Sequence, residues 1–307
     1  MGLLVDGKWQ ANEQATTNGH YQRKESSFRD WVTADGSSNF KAEPNRYHLY
    51  ISLACPWASR ALIFRKLKKL EDIISLSIVD PIIRDNGWTF TENTDCLPDI
   101  VNNKTYLHEV YSLADPTYTG RVTVPILWDK KTYSIVNNES ADIIRMFNSE
   151  FAALTGKTTD YYPIKLRKEI DKMNDLIYHN INNGVYKCGF ATEQEAYDSA
   201  YDALFDTLEL LENHLSVHEY LVADKITEAD WRLFTTLIRF DAVYYSLYKC
   251  NKTRIIDFEH LHDYLLRLYE VPGIADTINM DHIKQHYYIS QRALNPSQIV
   301  PKGPEVI

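Results

Sequence analysis

Along the chain, the pattern of apolar and polar positions changes character twice. Residues 1–45 are polar, carry Trp, Phe and Arg without a clear period, and read as an extended arm laid over a domain. Tyr47, Leu49 and Ile51 then alternate with His48, Tyr50 and Ser52, the period-two pattern of a strand. Ala54-Cys55-Pro56-Trp57 follows, and Pro56 suits the first position of a helix, where its missing N–H costs nothing. Leu62, Ile63, Leu67 and Leu70 continue at helical spacing, and Ile73 to Val79 reads as a second, buried strand ended by Pro81. Residues 82–120 are polar and rich in Asn, Asp and Thr, with one helix expected around Leu107 to Leu113; an insertion this long points to function. Val122 to Trp128 is strand-like, but Pro125 inside it demands an edge, a bulge or a cis bond. Tyr133 to Val136 reads as its hairpin partner. Asn137-Asn138-Glu139-Ser140 then precedes the helical run Ile143, Ile144, Met146 and Phe147, with the polar groups that a helix start needs.

After residue 150 the texture becomes helical. Apolar residues recur at three and four spacing in roughly 163–183, 192–215, 227–248, 258–270 and 276–287, and Thr227-Glu228-Ala229-Asp230 is a capping-box-like start with Asp in place of Glu. The pattern therefore predicts an α/β domain of β-α-β then β-β-α order, followed by an all-α domain. The expected boundaries are an arm at 1–45, a thioredoxin-like domain at 46–150 with the insertion 82–120, a helical domain at 160–290 and a tail at 291–307.

Charge and composition narrow the partners. The formal net charge is −9, which argues against nucleic acid, because neutralising phosphates needs clustered Lys and Arg. The one basic cluster, Arg65, Lys66, Lys68 and Lys69, reads as the solvated face of a helix. No stretch approaches 18 apolar residues, so no membrane span is expected, and the start MGLLVDGKWQ does not read as a signal peptide. The four cysteines, Cys55, Cys96, Cys188 and Cys250, are too widely and irregularly spaced for a disulfide framework, and a reducing cytoplasm is the expected location. His282 and His286 share a helix face as metal ligands do, but no Glu follows His282 and no third ligand is evident, so no metal is expected.

Cys55 is the sharpest chemical candidate. It lies between a strand and a helix, where N–H groups and the positive end of the helix dipole stabilise a thiolate. A dithiol redox motif would place a second Cys at position 58, which is Ala58. If Cys55 reacts, an outside thiol must resolve it, and glutathione is the abundant candidate. In a thioredoxin-like layout a cis-Pro125 faces the reactive Cys, and Val124 before it can offer its backbone to a peptide. Glu139-Ser140 at a helix start can bind a carboxylate through free N–H groups and a hydroxyl, and Glu139 can accept from an ammonium.

These segments, Arg46 to Asp80 with Cys55-Pro-Trp-Ala58, Arg121-Val-Thr-Val-Pro125 and Asn138-Glu-Ser140, resemble the glutathionyl-hydroquinone reductases, the Xi class of glutathione transferases. The resemblance extends to Asp115-Pro-Thr-Tyr-Thr-Gly120, Gly184-Val-Tyr-Lys-Cys-Gly-Phe190, Phe240-Asp-Ala-Val-Tyr244 and His286-Tyr287, and runs from Ser26-Ser-Phe-Arg-Asp30 to about Gln291. It implies a thioredoxin-fold domain, a glutathione-transferase-type helical domain and a homodimer. The activity it implies is glutathione-dependent reduction of glutathionyl-hydroquinones, with glutathione as co-substrate and neither metal nor nucleotide. By the same resemblance Cys55 is the nucleophile, Trp88 covers glutathione, and Arg121, Val122, Thr123, Val124, Glu139 and Ser140 hold it. Tyr186, Tyr244 and Tyr287 form the hydroquinone pocket and lower the thiolate pKa, with Tyr186 the proton donor. Two rival readings are an omega-like thioltransferase or dehydroascorbate reductase, which would need Cys55 but not the three tyrosines, and an idle scaffold, which would need none of these residues.

Overall fold

The computed structural model describes residues 2–11, 16–17, 19–21 and 25–304. Of the expected arm, residues 1, 12–15, 18 and 22–24 lie outside the described residues, as do 305–307 of the tail. The chain divides into two compact units. The first comprises Met1–Gln14, Lys24–Thr159 and Asp276–His286, and the second Ala15–Arg23, Asp160–Ala275 and Tyr287–Ile307.

The first unit is built on a four-stranded sheet in the order Ser134–Asn137, Ile126–Asp129, Tyr47–Ile51, Ile74–Ile78. Tyr47–Ile51 runs parallel to Ile74–Ile78, with Tyr47 opposite Ile74, and antiparallel to Ile126–Asp129, with Tyr47 opposite Asp129. A parallel pair needs a crossover, and the helix Pro56–Leu67 supplies it. That helix packs against the helix Ser140–Ser149. Together these elements are a thioredoxin-like β-α-β–β-β-α domain.

The alternation in Tyr47–Ile51 does not produce a wet face, because all five residues are buried. The polar members are satisfied internally. His48 lies between Ser75 Oγ (Nδ1, 2.8 Å) and Ser77 Oγ (Nε2, 2.9 Å). Ser77 donates its proton to Pro98 O, so it accepts from Nε2–H, and Ser75 donates to Nδ1. Tyr50 donates to Asp99 Oδ1 (2.8 Å) and accepts from Asn102 Nδ2 (2.8 Å). Pro98, Asp99 and Asn102 all belong to the insertion 82–120, which therefore roofs this face of the sheet.

Other expectations are corrected. Val122–Trp128 is not one strand: Gly120–Arg121 and Ile126–Asp129 are strands, and the stretch between them carries the cis Val124–Pro125 bond. The arm is more regular than its composition suggests. Leu3–Val5 and Lys8–Gln10 form a hairpin, and Leu3–Val5 also pairs with Gly120–Arg121. The basic cluster is not a solvated face. Lys68 is buried and donates to Thr159 O, and Arg65 donates to Ile74 O and Glu71 O, which leaves Lys69 as the exposed member.

The second unit is helical. Arg167–Ile177 continues into a π-helical turn at Tyr178–Asn182, and Glu228–Arg239 continues into another at Phe240–Tyr244. Gly184–Phe190, which the apolar spacing did not predict, Gln194–Leu215 and Glu259–Tyr269 complete its α-helices. Asp230 accepts from Thr227 N and Oγ1, from Leu221 N and from the Tyr264 hydroxyl, so the expected capping box also ties two helices together. The helix Met280–Ser290 counts with the first unit through His286 and with the second from Tyr287. No helix among the described residues is long and apolar enough to cross a membrane.

Burial pushes the His48 imidazole down to about 3, so it stays neutral in the folded chain while the unfolded chain takes up a proton below about 6.5. Stability is therefore complete above about pH 6.5 and falls as pH drops toward 3. Urea unfolding should show a loss of about 2 kcal/mol from this group between pH 7 and pH 5, and His48→Gln should flatten that slope. An equal slope in both proteins would refute the assignment.

Candidate active site

Cys55 is the N-cap of the helix Pro56–Leu67, with φ −77° and ψ 120°, and its carbonyl accepts the first helical bond from Ser59 N (2.9 Å). Pro56 follows it at the helix start, as its spacing predicts. The half-buried thiol lies 3.7 Å from Val124 O, to which it can donate. The chain just before Ile126–Asp129 thus delivers a backbone carbonyl to the sulfur. Position 58 is a fully buried alanine, so no second thiol stands at the resolving place.

Behind Val124 runs a chain of hydrogen bonds. The buried Tyr111 hydroxyl donates to Thr123 O (2.9 Å) and accepts from Asn138 Nδ2 (3.1 Å). Asn138 precedes Glu139, the N-cap of Ser140–Ser149, whose Oε1 accepts from Ala141 N (3.1 Å). The arm closes over this turn. Ser26 Oγ donates to Glu139 Oε2 (3.0 Å), Phe28 N donates to Asn138 Oδ1 (3.2 Å), and Arg29 pairs with Asp142 at 2.5 Å. Arg60, on the cysteine helix, reaches Ser140 Oγ at 3.4 Å and lies 4.5 Å over the Trp57 ring. Arg121 is in the strand paired with Leu3, and its carbonyl accepts from the Tyr118 hydroxyl (3.1 Å), while Val122 is buried.

Trp88 is 6 % exposed. The turn before it is clamped by the arm: Trp9 Nε1–H donates to Asp85 O (2.8 Å), and its ring sits where a side chain at Gly87 would be. Gly87 also has φ +75°, so that position favours glycine twice over. The indole lies flat on the imidazole of His286, with centroids 5.0 Å apart and planes 15° apart.

In the second unit, three phenols form one chain. The Tyr287 hydroxyl is 2.6 Å from that of Tyr186 and 2.9 Å from that of Tyr244. Tyr186 comes from Gly184–Phe190, just after one π-helical turn, and Tyr244 ends the other; such turns recur at functional sites. Asn182 donates to Arg232 O (3.1 Å) and Thr236 Oγ1 (2.7 Å), which anchors the first turn to the helix that carries the second. Burial, and then the neighbouring tyrosines, hold Tyr287 well above the ordinary phenol range. Tyr248 packs its ring against Tyr186, Tyr244 and Tyr287 and is raised by burial as well.

The first unit thus holds Cys55, Trp88, Arg121 to Val124, Glu139 and Ser140, and the second holds Tyr186, Tyr244 and Tyr287. Sequence reading missed Arg60, Tyr111 and Tyr248. Tyr248 follows Tyr244 at helical spacing, a signal available in the sequence; nothing marked the other two. The remaining cysteines are buried. Burial raises Cys96, and Cys250, buried beside Cys188, is raised well above the thiol range. His282 Nε2–H donates to Thr94 O and His286 Nδ1–H donates to Pro81 O, while the buried His282 Nδ1 has no hydrogen-bond partner. Among the described residues no cluster of three or more metal-ligating side chains occurs.

Comparison with known proteins gives concordant matches. Residues 54–150 match the glutathione S-transferase N-terminal domain, and residues 194–269 match the C-terminal domain. The chain is 51 % identical to the glutathionyl-hydroquinone reductase YqjG of Escherichia coli, over 99 % of this chain and 95 % of that protein. The glutathione-bound structure of YqjG superposes with a TM-score of 0.92 at 50 % identity, covering 99 % of this chain and 96 % of that one. PcpF of Sphingobium chlorophenolicum, a glutathionyl-hydroquinone reductase, is 51 % identical over 99 % of this chain and 96 % of its own. A Xi-class glutathione transferase from Natrialba magadii gives a TM-score of 0.94 at 47 % identity, with 99 % and 93 % coverage. With these features and this similarity over nearly its whole length, the chain belongs to the glutathionyl-hydroquinone reductases, the Xi class of the glutathione transferases.

Proposed function

We propose that this chain reduces glutathionyl-hydroquinones to hydroquinones at the expense of glutathione, with Cys55 as nucleophile and Tyr186 as proton donor. The observation that carries the reading is Cys55 at a helix N-terminus, 3.7 Å from Val124 O, with alanine where a resolving thiol would stand. A helix start favours the thiolate, and the missing partner makes an external thiol obligatory. A single-cysteine site suits one-glutathione-at-a-time exchange.

The aryl–sulfur bond of a hydroquinone thioether breaks only once its ring carbon takes up a proton. Tyr186 delivers that proton to the ring carbon, and the Tyr287 hydroxyl, itself bonded to Tyr244, stabilises the resulting phenolate. The Cys55 thiolate attacks the glutathionyl sulfur, the S–S bond forms, and the electron pair of the C–S bond returns to the ring, which leaves as hydroquinone. A second glutathione thiolate attacks the Cys55–glutathione disulfide, releasing oxidised glutathione and the Cys55 thiolate, while its proton restores Tyr186. Glutathione itself is held by Trp88, by Arg121 to Val124 along the backbone, and by Glu139 and Ser140 at the second helix start. In the same reading the protein is a cytoplasmic homodimer.

Cys55→Ser should abolish reduction of glutathionyl-menadiol while leaving the thermal midpoint within a few degrees; turnover in that variant would sink the mechanism. Tyr186→Phe should lower kcat by at least about 100-fold and leave glutathione affinity within about threefold, as loss of a general acid does. If affinity falls and kcat does not, Tyr186 is a binding residue. Iodoacetamide at neutral pH should label Cys55 first, with Cys96, Cys188 and Cys250 reacting only after unfolding. Peptide mapping that finds equal labelling would contradict the assignment.

A further inference from the structure

We propose that His286 is a positioning residue for Trp88, and that the pairing of these two rings sets how tightly the chain takes up glutathione. This inference rests on the reading of Trp88 as a glutathione contact.

The geometry around Trp88 closes on itself. His286 Nδ1–H donates to the buried carbonyl of Pro81 at 2.8 Å, which fixes both the tautomer and the plane of the imidazole. The residue before Pro81, Asp80, donates its backbone N–H to Thr89 O at 2.8 Å, and Thr89 follows Trp88 directly. His286 in turn lies on the Trp88 indole, with planes 15° apart. Backbone, carbonyl, imidazole and indole therefore form one ring of contacts. Trp88 O accepts from Leu107 N (3.0 Å), which anchors the main chain on a further side.

The helix carrying His286 is held in register with the insertion by two more contacts on the same face. His282, one turn earlier, donates Nε2–H to Thr94 O at 3.0 Å, and Asn279 Nδ2 donates to Asp95 Oδ2 at 2.8 Å. The i, i+4 spacing of the two histidines, which resembles a metal motif in the sequence, thus serves two carbonyls. Histidine fits position 286 because it is both flat and a directed donor. Phenylalanine supplies the face without the donor, and asparagine the donor without the face.

A double-mutant cycle on glutathione binding, measured by calorimetry on the full chain, tests this. His286→Ala should weaken binding about threefold to tenfold, the range of an aromatic pair. The same change in a Trp88→Ala background should have less than a twofold effect. His286→Phe should recover most of the affinity, and His286→Asn should not. The near-ultraviolet tryptophan signal should change with His286→Ala in the Trp88-containing protein only. Equal losses in both backgrounds, or rescue by Asn rather than Phe, would overturn the positioning role while leaving the proposed reaction standing. Wild-type protein that takes up no glutathione would overturn the reading of Trp88, and the inference with it.

Discussion

The register between Tyr47–Ile51 and Ile126–Asp129 is the constraint on which the thiol site depends. It is pinned at one end by Arg46 and Asp129, whose bidentate pair has bonds of 2.9 and 2.7 Å and is almost wholly buried. Such a pair is weak evidence for net stability, but leaving one partner alone costs about 3–5 kcal/mol. It therefore penalises slipped registers more than it rewards the correct one. A slip of one residue in a sheet reverses every side chain and moves every carbonyl along the partner strand. Val124, just before Ile126–Asp129, would then no longer present its carbonyl to Cys55. Asp129 also accepts from Lys131 N and Thr132 Oγ1, so the turn after the strand is held by the same carboxylate.

The insertion and the arm are the second layer of that constraint. A sheet with His48 and Tyr50 on a buried face needs partners for them, and the Pro98–Asn102 segment provides part of that set. The same insertion carries Trp88, and the arm fixes it through Trp9 over Gly87. The arm also covers the Glu139 turn through Ser26, Phe28 and Arg29. Segments that look featureless in composition thus supply partners to His48 and Tyr50 and hold Trp88 and the Glu139 turn in place.

The chemistry follows from two contrasting arrangements. The thiol is half-buried at a helix start, where a negative charge is favoured. Tyr244 and Tyr287 are deeply buried and Tyr186 is half-buried, the three are bonded in one chain, and burial keeps Tyr287 protonated at neutral pH. The first unit therefore holds a half-buried thiol at a helix start, and the second a hydrogen-bonded set of phenols. Tyr248 adds ring surface to the phenol cluster, and a side chain at Gly189 would collide with that ring at 2.4 Å, so the small residue there is part of the aromatic packing.

Much of this was legible in the chain. The β-α-β–β-β-α order, the Pro56 helix start, the Thr227–Asp230 capping box and the lone thiol of Cys55-Pro-Trp-Ala58 are local facts, set by hydrogen-bond needs and spacing over a few residues. Tertiary structure alone decided the rest, because those contacts join residues distant in sequence. It buried the polar side of Tyr47–Ile51, took Lys68 and Arg65 out of solvent, and paired the arm hairpin with Gly120–Arg121. It also turned His282 and His286 from a metal-like spacing into two carbonyl-bound anchors, and brought Tyr186, Tyr244 and Tyr287 into a single hydrogen-bonded chain. Periodicity reports which face of an element is apolar. Only the packed chain determines what covers the other face, and in this protein that cover is the insertion that carries Trp88.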